Sequence, residues 1–205
     1  MSTPFSSLSR RVLVAAAAVM CLPVTVLAEG DPGTWPKAKP ITWVVGYVPG
    51  GSVDVITRSV AKVVSERIGQ SIVIDNRAGA SGAIALQYAA RAASDGYWMI
   101  TVPGPIIHAE KQPTIGQELS AVSLMSQGPI VLVGGAANAR ANLQDLIGAM
   151  KKNPQDWSYA SSGTGTGQHL AGELFNTMAG TKMIHVPYKG GGQAVTDVVG
   201  GQVSL

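Results

Sequence analysis

The sequence predicts an α/β protein of two lobes, each assembled from parallel β-loop-α units, and three observations carry that prediction. Short apolar runs rich in Val and Ile alternate with longer segments of helical spacing. Glycine-rich junctions lead from strand into helix at 48–54, 161–166 and 187–192. Between residues 103 and 119 the periodicity is lost, and it then resumes, which marks a connection between lobes.

Taken in order, residues 41–47 form a continuous β-branched and aromatic run bounded by Pro49, Gly50 and Gly51, as expected of a strand buried on both faces. A helix follows in which Val53, Ile56, Val60, Val63, Val64 and Ile68 share one face, with Gly69 placed for a left-handed C-cap. Residues 71–75 predict the next strand, 76–82 a glycine loop, 83–93 a helix, and 97–102 a third strand after the Asp95-Gly96 turn. Beyond the connection, 121–126 and 130–133 predict strands, and Asn142 caps a helix that runs through Lys152 to Pro154. A short strand at 157–160 leads through the second glycine loop into a helix whose Leu170, Leu174 and Met178 recur every four residues before Gly180. Then come a strand at 183–186, a helix at 193–199 and the start of a strand at 203–205. Repeated β-loop-α order predicts a parallel sheet with right-handed crossovers.

The first 28 residues read as a secretory signal. They contain no acidic residue, Arg10 and Arg11 precede an apolar run from 12 to 26, and small residues at Val26 and Ala28 place cleavage after Ala28. The run is shorter than the roughly 20 apolar residues needed to span a bilayer, and it contains Pro23 and Thr25. The expected location is the periplasm. Removing 28 of 205 residues leaves 177, with 13 basic against 12 acidic side chains. The basic pI is largely the signal's. No clustered Lys/Arg stripe remains, which argues against nucleic acid as a partner. Cys21 lies in the signal, so the mature chain offers no thiol, disulfide or cysteine metal site.

The three glycine junctions place bare backbone N–H groups at helix N-termini, where about half a positive charge is concentrated. Such a loop binds an anion without a cation, each charge-assisted hydrogen bond contributing roughly 1.5–3 kcal/mol before desolvation. In open α/β sheets these loops gather at the carboxyl ends of the strands. A dinucleotide fingerprint fails, because Gln168 stands where the third glycine after Gly163 and Gly165 belongs. No Gly-Lys-Ser/Thr, G-x-S-x-G or H-E-x-x-H is present. His108, His169 and His185 are scattered; His169 faces a ligand, caps or packs, and His185 reads as structural. Asp54, in a first helical turn, orders water, receives a ligand's amino or hydroxyl group, or braces the loop. Lys189 is the only cation in the three loops.

Several motifs occur together: 48–54 (VPGGSVD), 76–82 (NRAGASG), 95–97 (DGY), 159–163 (YASSG) with Gly165-Thr166 and 169–173 (HLAGE), 186–190 (VPYKG) and 200–203 (GGQV). In this order they resemble the receptors of the tripartite tricarboxylate transporter family, the Bug-type extracytoplasmic solute receptors. The resemblance runs from Pro40 to the end. It implies a type II periplasmic-binding-protein fold, the Venus flytrap, with a first lobe and connection in 29–119 and a second lobe in 120–205. It implies no enzyme activity and no cofactor or metal; the ligand is a small organic acid, the partner an inner-membrane permease, and the protein a monomer. Carried over by position, the ligand contacts are Tyr47, Gly50, Gly51, Ser52, Asp54, Pro103 and Gly104 from the first lobe. The second lobe adds Ser161, Ser162, Gly163, Thr166 and His169, and Tyr188, Lys189, Gly190 and Asp197 line or brace the cleft.

Three departures from the family pattern stand out. The connection 103–119 is short and unlike the family's, Ser204 replaces an Asp, and the family's further strands and helices that complete the first lobe are missing. The expectation is therefore a C-terminally truncated receptor whose first lobe is incomplete. Alternatives are a ligand sensor for a signalling partner, a non-functional remnant, and an α/β enzyme, the last disfavoured by the lack of a nucleophile with its base.

Overall fold

A computed structural model describes residues 34–104 and 118–205. The signal reading of 1–28, the mature start at Glu29, His108 and most of the 103–119 connection lie outside the described residues. The first sheet contains β1 (Ile41–Val45), β2 (Ile72–Asn76) and β3 (Trp98–Thr101), all parallel, in the order β2-β1-β3. Ile41 pairs with Ile72, and Thr42 with Trp98. The central strand is buried on both faces: Val44 and Val45 are fully enclosed and Trp43 nearly so, as its unbroken apolar run requires. Helix α1 (Ser52–Ile68) crosses from β1 to β2 and α2 (Ala83–Ala90) from β2 to β3. The chain leaves β1 in one direction and returns to its other side, so β1 and β3 flank a topological switch point, where α/β sheets bind ligands.

The second sheet pairs β4 (Ser158–Ser161) with β5 (Ile184–Pro187), also parallel. Along the free edge of β4 lies the end of the chain: Ala160 N–H donates to the Leu205 carbonyl and Leu205 N–H to that of Ser158. Residues 203–205 form no strand of the sheet, though they lie along its edge as the expected strand start would, and Ser204 Oγ accepts the Ser158 N–H. Three helices accompany this sheet: α3 (Leu143–Lys152), α4 (Gly167–Ala179) and α5 (Gly191–Val199). Asn142 caps α3 by accepting the Asp145 N–H at 2.9 Å. Met150, Trp157, Tyr159, Met183 and Leu205 form the core beneath. The described residues all belong to one compact unit, Gly33–Leu205.

Three expectations are corrected. The most deeply buried stripe of helix α1 is not its valine face: Asp54, Thr57 and Ala61 are buried, while Val53, Ile56, Val60, Val64 and Ile68 are half-buried and Val63 is 48% exposed. Thr57 Oγ1 is fixed between the Val53 carbonyl and Thr101 Oγ1, which also receives the Trp43 indole N–H. Small and hydrogen-bonded side chains let the helix lie close on the sheet. Helix α4 likewise turns Leu170, Leu174 and Met178 outward and packs through Gly172. There the ring of Tyr159 occupies the space a Cβ would fill. Finally, 121–126 and 130–133 are not strands; Val122, Leu124 and Val131 are exposed, and neither run enters either sheet. Without a neighbouring ladder, β-branched composition does not make a strand.

Candidate functional site

The β1–α1 loop is held from behind by Asp54. Its carboxylate accepts the Gly50 N–H at 2.9 Å, the Arg58 Nε–H at 2.9 Å and the Asn76 amide at 2.8 Å, and only 2% of the residue is exposed. Burial alone would raise its pKa, but the hydrogen bonds from Arg58, Gly50 and Asn76 prevail and hold it at about 2. Asn76 also donates to the Tyr47 carbonyl. Of the roles open to Asp54, bracing the loop is the one these bonds account for. Tyr47 is buried, which lifts its phenol to about 12, and its hydroxyl donates to the Ser81 carbonyl at 2.9 Å. That bond ties the β1 loop to the turn at 80–82, where Ala80 and Ser81 both adopt positive φ.

In the second half, Ser161 ends β4 fully buried. Its Oγ accepts the Gly163 N–H at 3.0 Å and lies 2.7 Å from His185 Nε2. Thr166 Oγ1 donates to the Gly163 carbonyl at 2.6 Å. The His169 ring stands over that of His185 with centroids 4.2 Å apart, and its Nδ1 accepts the Gly165 N–H at 3.1 Å. Burial, followed by the neighbouring His169, lowers the pKa of His185. Burial and the bond to Glu173 raise that of Tyr159, whose ring stacks on His185 with centroids 5.0 Å apart. These side chains fix the loop through its own backbone groups at Gly163 and Gly165.

The loops of the two sheets meet. Val48 N–H donates to the Lys189 carbonyl at 3.4 Å, and a Cβ on Gly163 would lie 2.5 Å from Ser81 Oγ. Between them lie two adjoining chambers that share Tyr47 and Ser162. The larger, about 210 Å³, is lined by Gly79, Ala80 and Ser81 on one side and by Gly163, Thr164, Tyr188 and Lys189 on the other. The smaller, about 80 Å³, is lined by Gly51, Ser52, Val53 and Pro103 facing Thr166, Gly167, Gln168 and Gly191. Helices α1, α4 and α5 all open onto the smaller chamber, and none has a side-chain cap at its N-terminus. Their first-turn N–H groups and positive dipole ends therefore converge on one space. Among the described lining residues only Lys189 carries a charge.

A family model described as the tripartite tricarboxylate transporter family receptor matches residues 56–205. The chain belongs to this receptor family. A Pseudomonas relative, a UPF0065 protein from the tcbD-tcbE intergenic region, is 38% identical over 201 residues, 96% of this chain and 59% of the relative. The solved structure of R. palustris Rpa4515 with adipate is 33% identical with a TM-score of 0.67, covering 83% of this chain and 58% of that one. The periplasmic binding protein BugD is 28% identical with a TM-score of 0.66, covering 82% and 57%. The chain thus spans a little under three fifths of these proteins, and over the matched part it has the fold of a periplasmic solute-binding receptor. The matched family model is described as a receptor and the BugD structure as a periplasmic binding protein.

Of the residues carried over from the motifs, this receptor chain brings Tyr47, Gly51, Ser52, Pro103, Ser162, Gly163, Thr166, Tyr188 and Lys189 to the chamber walls. Gly50, Asp54, Ser161 and His169 stand one layer back and fix the loops, and Gly104 is exposed beside Pro103. Asp197 accepts the Tyr188 hydroxyl at 2.6 Å, and buried Gly190 packs against Val48. Sequence reasoning passed over Ser81, although the 76–82 motif contained it, and read His185 without its Ser161 partner. The Ser81 signal was available in the motif; the Ser161–His185 pair joins residues 24 apart and leaves no local trace.

Proposed function

We propose that the chain is the ligand-capturing part of an extracytoplasmic receptor. It takes a small organic carboxylate between a first lobe, 29–119, and a second, 120–205, for delivery to a membrane permease in the periplasm. The observation that carries this reading is the convergence of three uncapped helix N-termini on the smaller chamber. A carboxylate there accepts backbone N–H bonds in a space that costs no arginine, and Lys189 beside the larger chamber favours further negative charge. The adipate bound in the R. palustris relative supports the ligand class. Tyr47, Ser162 and the glycines of both loops are the proposed contacts, with Asp54 and Asp197 as braces.

The test is a thermal-shift screen of the chain against adipate, other di- and tricarboxylates, aromatic acids and amino acids, each beside its neutral amide. The reading predicts a melting transition raised by at least one acid and not by its amide, by mass action on the folded state. A cooperative melt that no acid moves would sink it.

A further inference from the structure

The loop that carries Ser162, Gly163 and Thr164 into the cleft is held in an unusual shape. Gly163 and Gly165 adopt φ of 128° and 81°, both in the left-handed region. One of the bonds that keep it there is the 3.1 Å contact from Gly165 N–H to His169 Nδ1. A backbone N–H can only donate, so Nδ1 must be the unprotonated nitrogen and the ring proton must sit on Nε2. An imidazolium carries a proton on both nitrogens. Charging His169 therefore sets two N–H groups against each other across this contact and removes the bond.

We propose that His169 is a positioning residue that latches the Gly165 corner of the cleft loop in its neutral form and releases that corner when protonated. The groups around the ring are His185 from β5, Tyr159 and Ser161 from β4, and Glu173 one turn further along α4. Glu173 accepts the Tyr159 hydroxyl at 2.6 Å. His185 sits 4.2 Å away, centroid to centroid, and a charge on His169 disfavours one on its neighbour. The Ser161–His185 bond does not involve the Gly165 contact and persists when that contact is lost. For a bound carboxylate the consequence rests on the receptor reading above: acidification loosens one wall of both chambers and promotes release. The latch itself is independent of any ligand.

The test uses ¹⁵N-labelled full-length chain without ligand, followed by imidazole and amide correlation spectra between about pH 8 and about pH 5, where histidine changes charge. The expected result is a His169 ring in the Nε2–H tautomer at high pH, with the Gly165 amide resonance moving at the midpoint of His169's own titration. His169→Gln retains an acceptor oxygen but cannot titrate in this range, so its Gly165 amide becomes independent of pH. In His185→Gln the joint titration of His169 and Gly165 persists. An Nδ1–H tautomer at high pH, or a Gly165 amide that ignores the titration of His169, overturns the proposal. The wild-type spectra alone decide the matter if either variant fails to fold.

Discussion

Replacing Asp54 with Asn removes the one acceptor group around which the first cleft loop is organised. Gly50, Arg58 and Asn76 all direct donors at the two carboxylate oxygens. A carboxamide keeps one oxygen and turns an NH₂ toward those donors, leaving buried polar groups unpaired. A carboxylate held at about 2 instead of 3.8 ties about 2 kcal/mol of stability to its ionisation, at about 1.4 kcal/mol per tenfold change in proton affinity. The folded value lies below the unfolded one, so this stability is complete above about pH 4 and is lost as pH falls through about 2. Urea denaturation of wild type and Asp54→Asn should show a gap of about 2–3 kcal/mol at neutral pH, closing to under about 1 kcal/mol near pH 2. A neutral-pH gap below about 0.5 kcal/mol, or one that does not narrow in acid, would refute the bracing role.

Three further substitutions probe the cleft and its support. Gly163→Ala places a Cβ 2.5 Å from Ser81 Oγ at a φ of 128°. It should cost about 1–3 kcal/mol in denaturation, of which adding Ser81→Ala recovers only the steric share. Gly172→Ala drives a methyl into the Tyr159 ring on which α4 rests, and a loss of about 1–3 kcal/mol is expected from overpacking; an unchanged melt would contradict the packing described. Lys189→Met should weaken carboxylate binding several-fold and reduce its salt dependence in calorimetry, since an exposed cation acts through a screened field; stability should be unaffected.

Much of the architecture was legible because burial and periodicity coincide. The run at 41–47 contains the doubly buried β1, and the glycines at 69 and 180 end α1 and α4 in left-handed caps as their spacing implied. The helix faces were misread where packing depends on small residues. Thr57, Ala61 and Gly172 carry little hydrophobic signal, yet they are what lets α1 and α4 lie close on their sheets. The runs at 121–126 and 130–133 read as strands in sequence but have no strand beside them among the described residues. At the site, the glycine junctions announced exposed backbone. What each conserves in shape is set by distant partners: Asn76 for Asp54 and His185 for Ser161. Pairings across 22 and 24 residues are products of topology and have no local periodicity to betray them.

The central claim is that a small carboxylate binds where three helix N-termini converge, and amide-shift mapping of the ¹⁵N-labelled chain tests it most directly. During titration with adipate and then the remaining acids of the panel, the account predicts saturable shifts at the backbone amides of Gly51, Ser52, Val53, Gly167, Gln168 and Gly191, with smaller ones at Gly163 and Lys189. Saturable shifts confined to other surfaces, or none with any acid in a folded chain, would contradict it.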